Sequence, residues 1–201
     1  MPTDTFFPDT HYHVCHHANS EELLFRSDEN YRYLLRLTVK YICPVANVLA
    51  YCLMPNHFHL LIRTCGLETL QDKMRQKPKT ESPDSFLIQQ FSNLCNAYSK
   101  AFNRLYNRRG ALFRRTLQRK HITNDRQLLN TLIYIHQNPV HHGFTPNWED
   151  WQYSSVHNYL TEKPGNVSTK DIYQKIGTKL EFRKMHEEFA LADLQEDLLE
   201  V

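Results

Sequence analysis

The sequence predicts an α+β domain built on a ferredoxin-like, split βαβ antiparallel sheet, and three observations predict it. Strand-like and helix-like segments follow one another in the order β-α-β-β-α-β-α, which is that sheet with one helix added. Two apolar runs, 45–54 and 57–64, are separated only by Pro55 and Asn56, so they form a hairpin. The segments between strands carry apolar residues at helical spacing and are bounded by capping residues and prolines.

Residues 12–18 (YHVCHHA) form the first strand, aromatic and β-branched in part, although the histidines weaken it. A helix starts near Ser27 or Asp28, either of which can cap it. It carries Tyr31, Leu34, Leu35, Thr38, Val39 and Ile42 as one stripe and ends at Pro44. Residues 45–54 are apolar at nearly every position, as in a central strand covered on both faces. Residues 57–64 are the hairpin partner, and the polar stretch 66–83 is a surface loop or a short helix. A long helix fits 85–106, with Phe86, Ile88, Phe91, Leu94, Cys95, Tyr98 and Phe102 on one stripe. A basic turn, 107–110, leads to a fourth strand at 116–122. Thr123 or Asn124 caps a third helix with Leu128, Leu129, Leu132, Ile133 and Ile135, which Pro139 stops. Beyond 145 come Trp148, Trp151, a loop at 162–167 and a helix from Lys179 onward. Residues 1–160 are therefore expected to form one domain and 161–201 a helical C-terminal extension.

Composition narrows the function classes. A chain of 201 residues with 41% hydrophobic and 23% charged residues can bury a core, and its net charge of +2 favours no partner. It holds no apolar run of 18 residues, and its first residues lack the basic-then-apolar layout of a secretory signal. Cysteines 15, 43, 52, 65 and 95 are odd in number and contain no C-x-x-C pair, which suits reduced thiols. A cytoplasmic location with no membrane partner is the expectation. The five glycines form neither G-x-G-x-x-G nor a P-loop, so nucleotide binding by a glycine loop is excluded. Charge is uneven along the chain. Residues 85–124 contain no acid but eight bases: Lys100, Arg104, Arg108, Arg109, Arg114, Arg115, Arg119 and Lys120. Tyr98, Phe102, Tyr106 and Phe113 are interleaved with them. Such a stretch suits a nucleic-acid backbone with splayed bases, or equally a solvated helix face whose aromatics turn into the core. Residues 181–200 are instead acidic.

Three constellations could carry chemistry. His57 and His59 flank Phe58 on a strand, so both imidazoles project to one face; they form half of a divalent-metal site or a solvated histidine pair. Tyr134 and Asn138 lie one helical turn apart. A phenol is a competent nucleophile and an amide oxygen a ligand for a hard cation; alternatively Tyr134 packs in the core and Asn138 caps the helix. His11, His13, His16 and His17 crowd around Cys15, but meet no zinc-ligand spacing and read more readily as a polar or edge-strand cluster. His141 and His142 after Pro139 either touch phosphate or sit in a loop.

Taken together, these pieces resemble a known family. Residues 54–62 (MPNHFHLLI) are similar to the HUH segment of single-tyrosine HUH transposases, and 134–143 (YIHQNPVHHG) to their Y-I-x-x-N-P-V helix. Residues 109–115 (RGALFRR) resemble the G-x-[LV]-[FW]-x-x-R stretch of the REP-associated tyrosine transposase branch, and 151–155 (WQYSS) its W-x-x-S-S element. The order and separations agree from about Tyr12 to Tyr159.

The resemblance implies the HUH fold with an added helix bearing a catalytic tyrosine. It implies that His57 and His59 hold Mg²⁺ or Mn²⁺, with Asn138, or else Gln137 or His136, as a third ligand. Tyr134 would attack a DNA phosphate, giving a 5′-phosphotyrosine and a free 3′-OH without ATP. The basic stretch would grip single-stranded DNA beside a hairpin, in a homodimer or a monomer. Two other readings stand beside this one. The first is a domesticated hairpin DNA- or RNA-binding protein on the same fold that cleaves little or nothing. The second is a histidine-rich metal-binding or regulatory module centred on residues 11–17. The acidic C-terminal segment would shield the groove, contact a partner or form a solvated amphipathic helix.

Overall fold

The computed structural model describes residues 3–76, 81–161 and 165–189. Strand β1 (His11–His17) is followed by helix α1 (Asp28–Tyr41), strands β2 (Ala46–Met54) and β3 (His57–Thr64), and helices α2 (Leu67–Arg75) and α3 (Pro83–Leu105). Strand β4 (Gln118–Ile122) and helices α4 (Asp125–His141), α5 (Val156–Leu160), α6 (Lys170–Ile176) and α7 (Lys179–Glu188) complete the order. The strands form one antiparallel sheet in the order β2-β3-β1-β4, the split βαβ arrangement expected from the sequence.

Strand alternation divides the molecule into two cores. Tyr12, Val14, Phe58, Leu60 and Ile62 face α1 and α3, where they meet Leu34, Phe91, Leu94 and Tyr98. Leu61, Cys52, Met54 and Ile122 face the other way, against Leu128, Leu132, Tyr134 and Ile135 of α4 and Tyr159, Ile172 and Phe182 of α5–α7. A bulge between Val48 and Ala50 keeps β2 alternating correctly between the two. Both open sheet edges are covered, which blocks pairing with another chain. On β2, Leu53 N–H donates to Tyr153 O (3.0 Å), Ser155 N–H to Tyr51 O (2.9 Å) and Tyr51 N–H to Ser155 Oγ (2.8 Å). The W-x-x-S-S element is thus a strap along that edge. On β4, Asp4 N–H donates to Arg119 O (3.2 Å) and Asp4 Oδ2 accepts from His121 N–H (2.7 Å).

Several boundaries differ from the expectation. The histidine-bearing β1 is a central strand and not an edge, because β3 and β4 pair with it on either side. Its residues therefore alternate between two buried layers, and the cluster 11–17 is split. A short helix, α2, forms within 66–83, of which 77–80 lie outside the described residues. Helix α3 starts earlier than Ser85, because Ser82 caps it in a capping box with Ser85 and Pro83 takes the first turn. Pro139 does not stop α4 but sits within its last turn. Proline removes the bond to the carbonyl four residues back and leaves the residues after it free to stay helical. His142 N–H donates to Asn138 O and Phe144 N–H to Pro139 O, closing that end. Helices α5 and α6 were not anticipated, since neither is long enough to show a periodic stripe. Part of the expected loop (162–164) and the last part of the expected C-terminal helix and acidic run (190–201) lie outside the described residues, while α7 itself ends at Glu188. Among the described residues no helix is long and apolar enough to cross a membrane.

Candidate active site

The two faces of β3 separate its residues by chemistry. Phe58 enters the first core, while His57 and His59 point to the layer under α4. Asn124 caps α4, its Oδ1 accepting from Gln127 N–H at 2.9 Å. The helix crosses the hairpin with Tyr134 and Asn138 one turn apart on its inner side. Tyr134 packs edge-on against His59 and His13, with ring centroids 5.7 and 5.9 Å away. All four expected residues are enclosed: His57 is 3%, His59 1%, Tyr134 2% and Asn138 0% exposed.

His57 lies between two amide oxygens. Its Nδ1 is 2.8 Å from Asn56 Oδ1 and its Nε2 is 3.3 Å from Asn138 Oδ1. A neutral imidazole carries one proton and donates to one of them. With that proton on the shorter contact, Nε2 turns a lone pair toward the Asn138 oxygen. Meanwhile the buried Asn138 Nδ2 has no hydrogen-bond partner. An oxygen and a nitrogen lone pair about 3 Å apart match neighbouring ligands around a cation with bonds of about 2.1 Å. His57 and Asn138 thus offer two donors that fit a divalent cation, and the ring of His59, 4.9 Å from that of His57, is the nearest candidate for a third. No three His, Cys, Asp or Glu side chains converge as metal donors among the described residues, so any cation here relies on the amide. The alternative third ligands turn away: His136 bonds His186 and Ser155 (3.0 and 2.8 Å), and Gln137 Nε2 donates to His186 O (2.5 Å).

Four further residues complete the site. His13 Nε2 is 2.9 Å from His59 Nδ1. His17 stacks on His57 at 4.7 Å, the His142 ring is 5.4 Å from His57, and Asn56 backs His57 as described. The signal for His13 and His17 was their even spacing on β1, which puts them on one face but reveals its partner only once β1 is paired with β3. His16 takes the opposite face, between Phe113 and Cys95, where burial lowers its pKa. The 11–17 cluster therefore cannot close around one metal ion.

The basic stretch also divides. Lys100, Arg104, Arg109, Arg114 and Arg115 are exposed. Arg114 N–H donates to His17 O (3.0 Å), which brings the basic loop to the rim of the site. Lys120 pairs across from His13, so it stands on the same sheet face as Tyr134. Arg114, Arg115, Asn96, Ser92 and Ser99 line a groove of about 560 Å³ between α3 and this loop. Arg108 and Arg119 serve the fold. Arg108 bonds Glu22 (2.8 Å), Gly110 O (3.2 Å) and Ala111 O (3.0 Å). Arg119 lies over the Phe6 ring at 4.9 Å and donates to Asp4 O. Tyr98, Phe102 and Phe113 are core residues rather than stacking platforms.

No family model matches the chain. Over 118 residues, 54% of this chain and 57% of the relative, it is 31% identical to a Haemophilus influenzae protein named "Putative REP-associated tyrosine transposase". The match thus spans just over half of that curated relative's length. A solved structure entitled "Structure of the REP associates tyrosine transposase bound to a REP hairpin" shares the fold with a TM-score of 0.59. It covers 80% of this chain and 84% of its own, at 14% identity. By sequence over just over half its length and by an antiparallel α+β fold over four-fifths of it, the chain resembles the REP-associated tyrosine transposases.

Proposed function

We propose that this chain is a divalent-cation-dependent single-strand DNA endonuclease and strand transferase acting beside a hairpin. The observation that carries the reading is the convergence of Tyr134 from α4 with His57 and His59 from β3 in one buried cluster. Tyr134 Oη attacks the phosphorus, the bond from phosphorus to the 3′ oxygen breaks, and that oxygen leaves as a 3′-OH once protonated. The 5′ side stays on the protein as a phosphotyrosine, so the bond energy is retained and a 3′-OH can reverse the step without ATP. His57, His59 and Asn138 would hold Mg²⁺ or Mn²⁺, which when bound polarises the phosphate and offsets the charge developing on it. The edge-on packing against His13 and His59 fixes the ring of Tyr134, so its phenol has one direction of attack. Arg114 and Lys120 hold the phosphate backbone at the rim, and Arg109, Arg115 and, on α3, Lys100 and Arg104 extend the basic surface away from it.

One observation favours a second reading, a hairpin-binding protein that does not cleave: the Tyr134 side chain is enclosed on all sides. A covalent-capture assay separates the two. Labelled single-stranded hairpins from the gene's own flanks are mixed with the protein and Mn²⁺, then run on a denaturing gel. An adduct that disappears in Tyr134→Phe and with EDTA supports the strand transferase. Hairpin binding on a native gel without any adduct supports the second reading. Loss of both sinks the DNA assignment.

A further inference from the structure

We propose that His13 is a positioning residue of this site, resting on the cation-dependent reading above: it accepts the Nδ1–H of His59 and so holds His59 in the tautomer that can bind a cation. The pairing of β1 with β3 sets Cys15 opposite His59 and His13 opposite Leu61. His13 is thus the diagonal neighbour of His59 on the same face. The two rings lie 5.1 Å apart and 24° from parallel, with Nε2 of His13 2.9 Å from Nδ1 of His59. One proton lies in that contact. If it belongs to His13, Nδ1 of His59 is an acceptor and the proton of the neutral His59 ring sits on Nε2, where no cation can bind. If it belongs to His59, Nε2 carries the lone pair. The direction of this single hydrogen bond therefore decides whether His59 is a ligand.

The arrangement around His57 shows the direction the site uses. There an oxygen that can only accept, Asn56 Oδ1, takes the Nδ1–H at 2.8 Å, leaving Nε2 toward Asn138. His13 does for His59 what Asn56 does for His57, so both imidazoles present Nε2. A partner of this kind on the outer nitrogen fixes the tautomer of a ligating histidine and typically supports 10–100-fold in metal affinity. His13 is itself held in place, buried between β3 and the edge of the Tyr134 ring at 5.9 Å.

The tautomer can be read without metal by long-range ¹H–¹⁵N correlation on histidine-labelled, metal-free protein at neutral pH. His59 is expected as the Nδ1–H form in the wild type and as the Nε2–H form or a mixture in His13→Leu. In His13→Gln the amide oxygen reaches the place of Nε2, and the wild-type form is expected to return. Mn²⁺ affinity by titration calorimetry should fall about 10–100-fold in His13→Leu and recover in His13→Gln. A wild-type His59 protonated on Nε2 overturns the proposal outright, whether or not any variant folds. So does a His13→Leu protein whose His59 tautomer and Mn²⁺ affinity are unchanged. A wild type with the expected tautomer that takes up no Mn²⁺ supports the role of His13 and overturns the cation-dependent function instead.

Discussion

Acid should loosen the C-terminal helices from the tyrosine helix, by an amount the structure sets. His136 on α4 and His186 on α7 share a hydrogen bond of 3.0 Å, and both are nearly inaccessible to solvent. His136 reaches on to Ser155 at 2.8 Å, and His186 Nδ1 donates to Phe182 O at 2.8 Å. This chain of bonds needs both rings neutral. Burial lowers the pKa of His186 from 6.5 to about 4. Burial, followed by repulsion from His186, lowers that of His136 well below its ordinary value. Unfolded histidines take up protons as pH falls through 6.5, whereas folded His186 resists until about pH 4 and buried His136 resists as well. The folded state binds fewer protons in that window, so stability is complete above about pH 6.5 and falls as pH drops. At about 1.4 kcal/mol per pH unit, His186 alone accounts for about 2 kcal/mol between pH 6.5 and 5. With a urea slope of about 2 kcal/mol/M, the unfolding midpoint falls by about 1 M over that range. The assay is urea unfolding at pH 7, 6 and 5 for the wild type and for His186→Phe. The variant loses stability at pH 7 through its lost bond, but its decline with acid should be shallower by about one proton. Equal declines would refute the reasoning.

Three other outcomes are expected. Asn124→Ala removes the cap of α4 and should cost about 1 kcal/mol, a fall of about 2–4 °C in Tm by differential scanning calorimetry. Arg115→Ala should weaken hairpin binding and reduce the salt slope of binding by about one, whereas Arg119→Ala should lower Tm instead, because Arg119 sits on Phe6 and bonds Asp4. Phe182→Ala, which empties a buried position stacked on Tyr159 at 4.8 Å, should cost about 3–5 kcal/mol in chemical denaturation.

Legibility in the sequence followed the range of the interaction. The hairpin of β2 and β3 was readable because Pro55 and Asn56 fix a turn between two apolar runs, and the bounds of β3 match the expected 57–64. Asn124 was readable as a cap because a cap acts within its own first turn, and Ser27 was readable as the start of α1 although its side chain makes no capping bond. Pro139 misled because its steric rule constrains what precedes it, and two residues from a helix end little follows it. Arg119 was grouped with the DNA-facing bases although Asp4 and Phe6, more than a hundred positions away, hold it.

The site divides in the same way. His57, His59, Tyr134 and Asn138 were legible as pairs because each pair shares one element, and a strand or a helix brings its own residues to one face. That the two pairs meet is a property of how α4 lies over β3, which no local spacing encodes. The supporting residues are a stage further removed. His13 acts through the register of β1 on β3, and His136 through a helix fifty positions downstream. Their chemistry depends on burial: in water, neither a chosen tautomer nor a persistently neutral imidazole pair would hold, because solvent would exchange the protons freely. The high histidine content thus serves two ends. One set of rings, around His57 and His59, would on the proposed function bind a cation. The other, at His136 and His186, is kept uncharged so that the helix bearing Tyr134 stays where the first set can meet it.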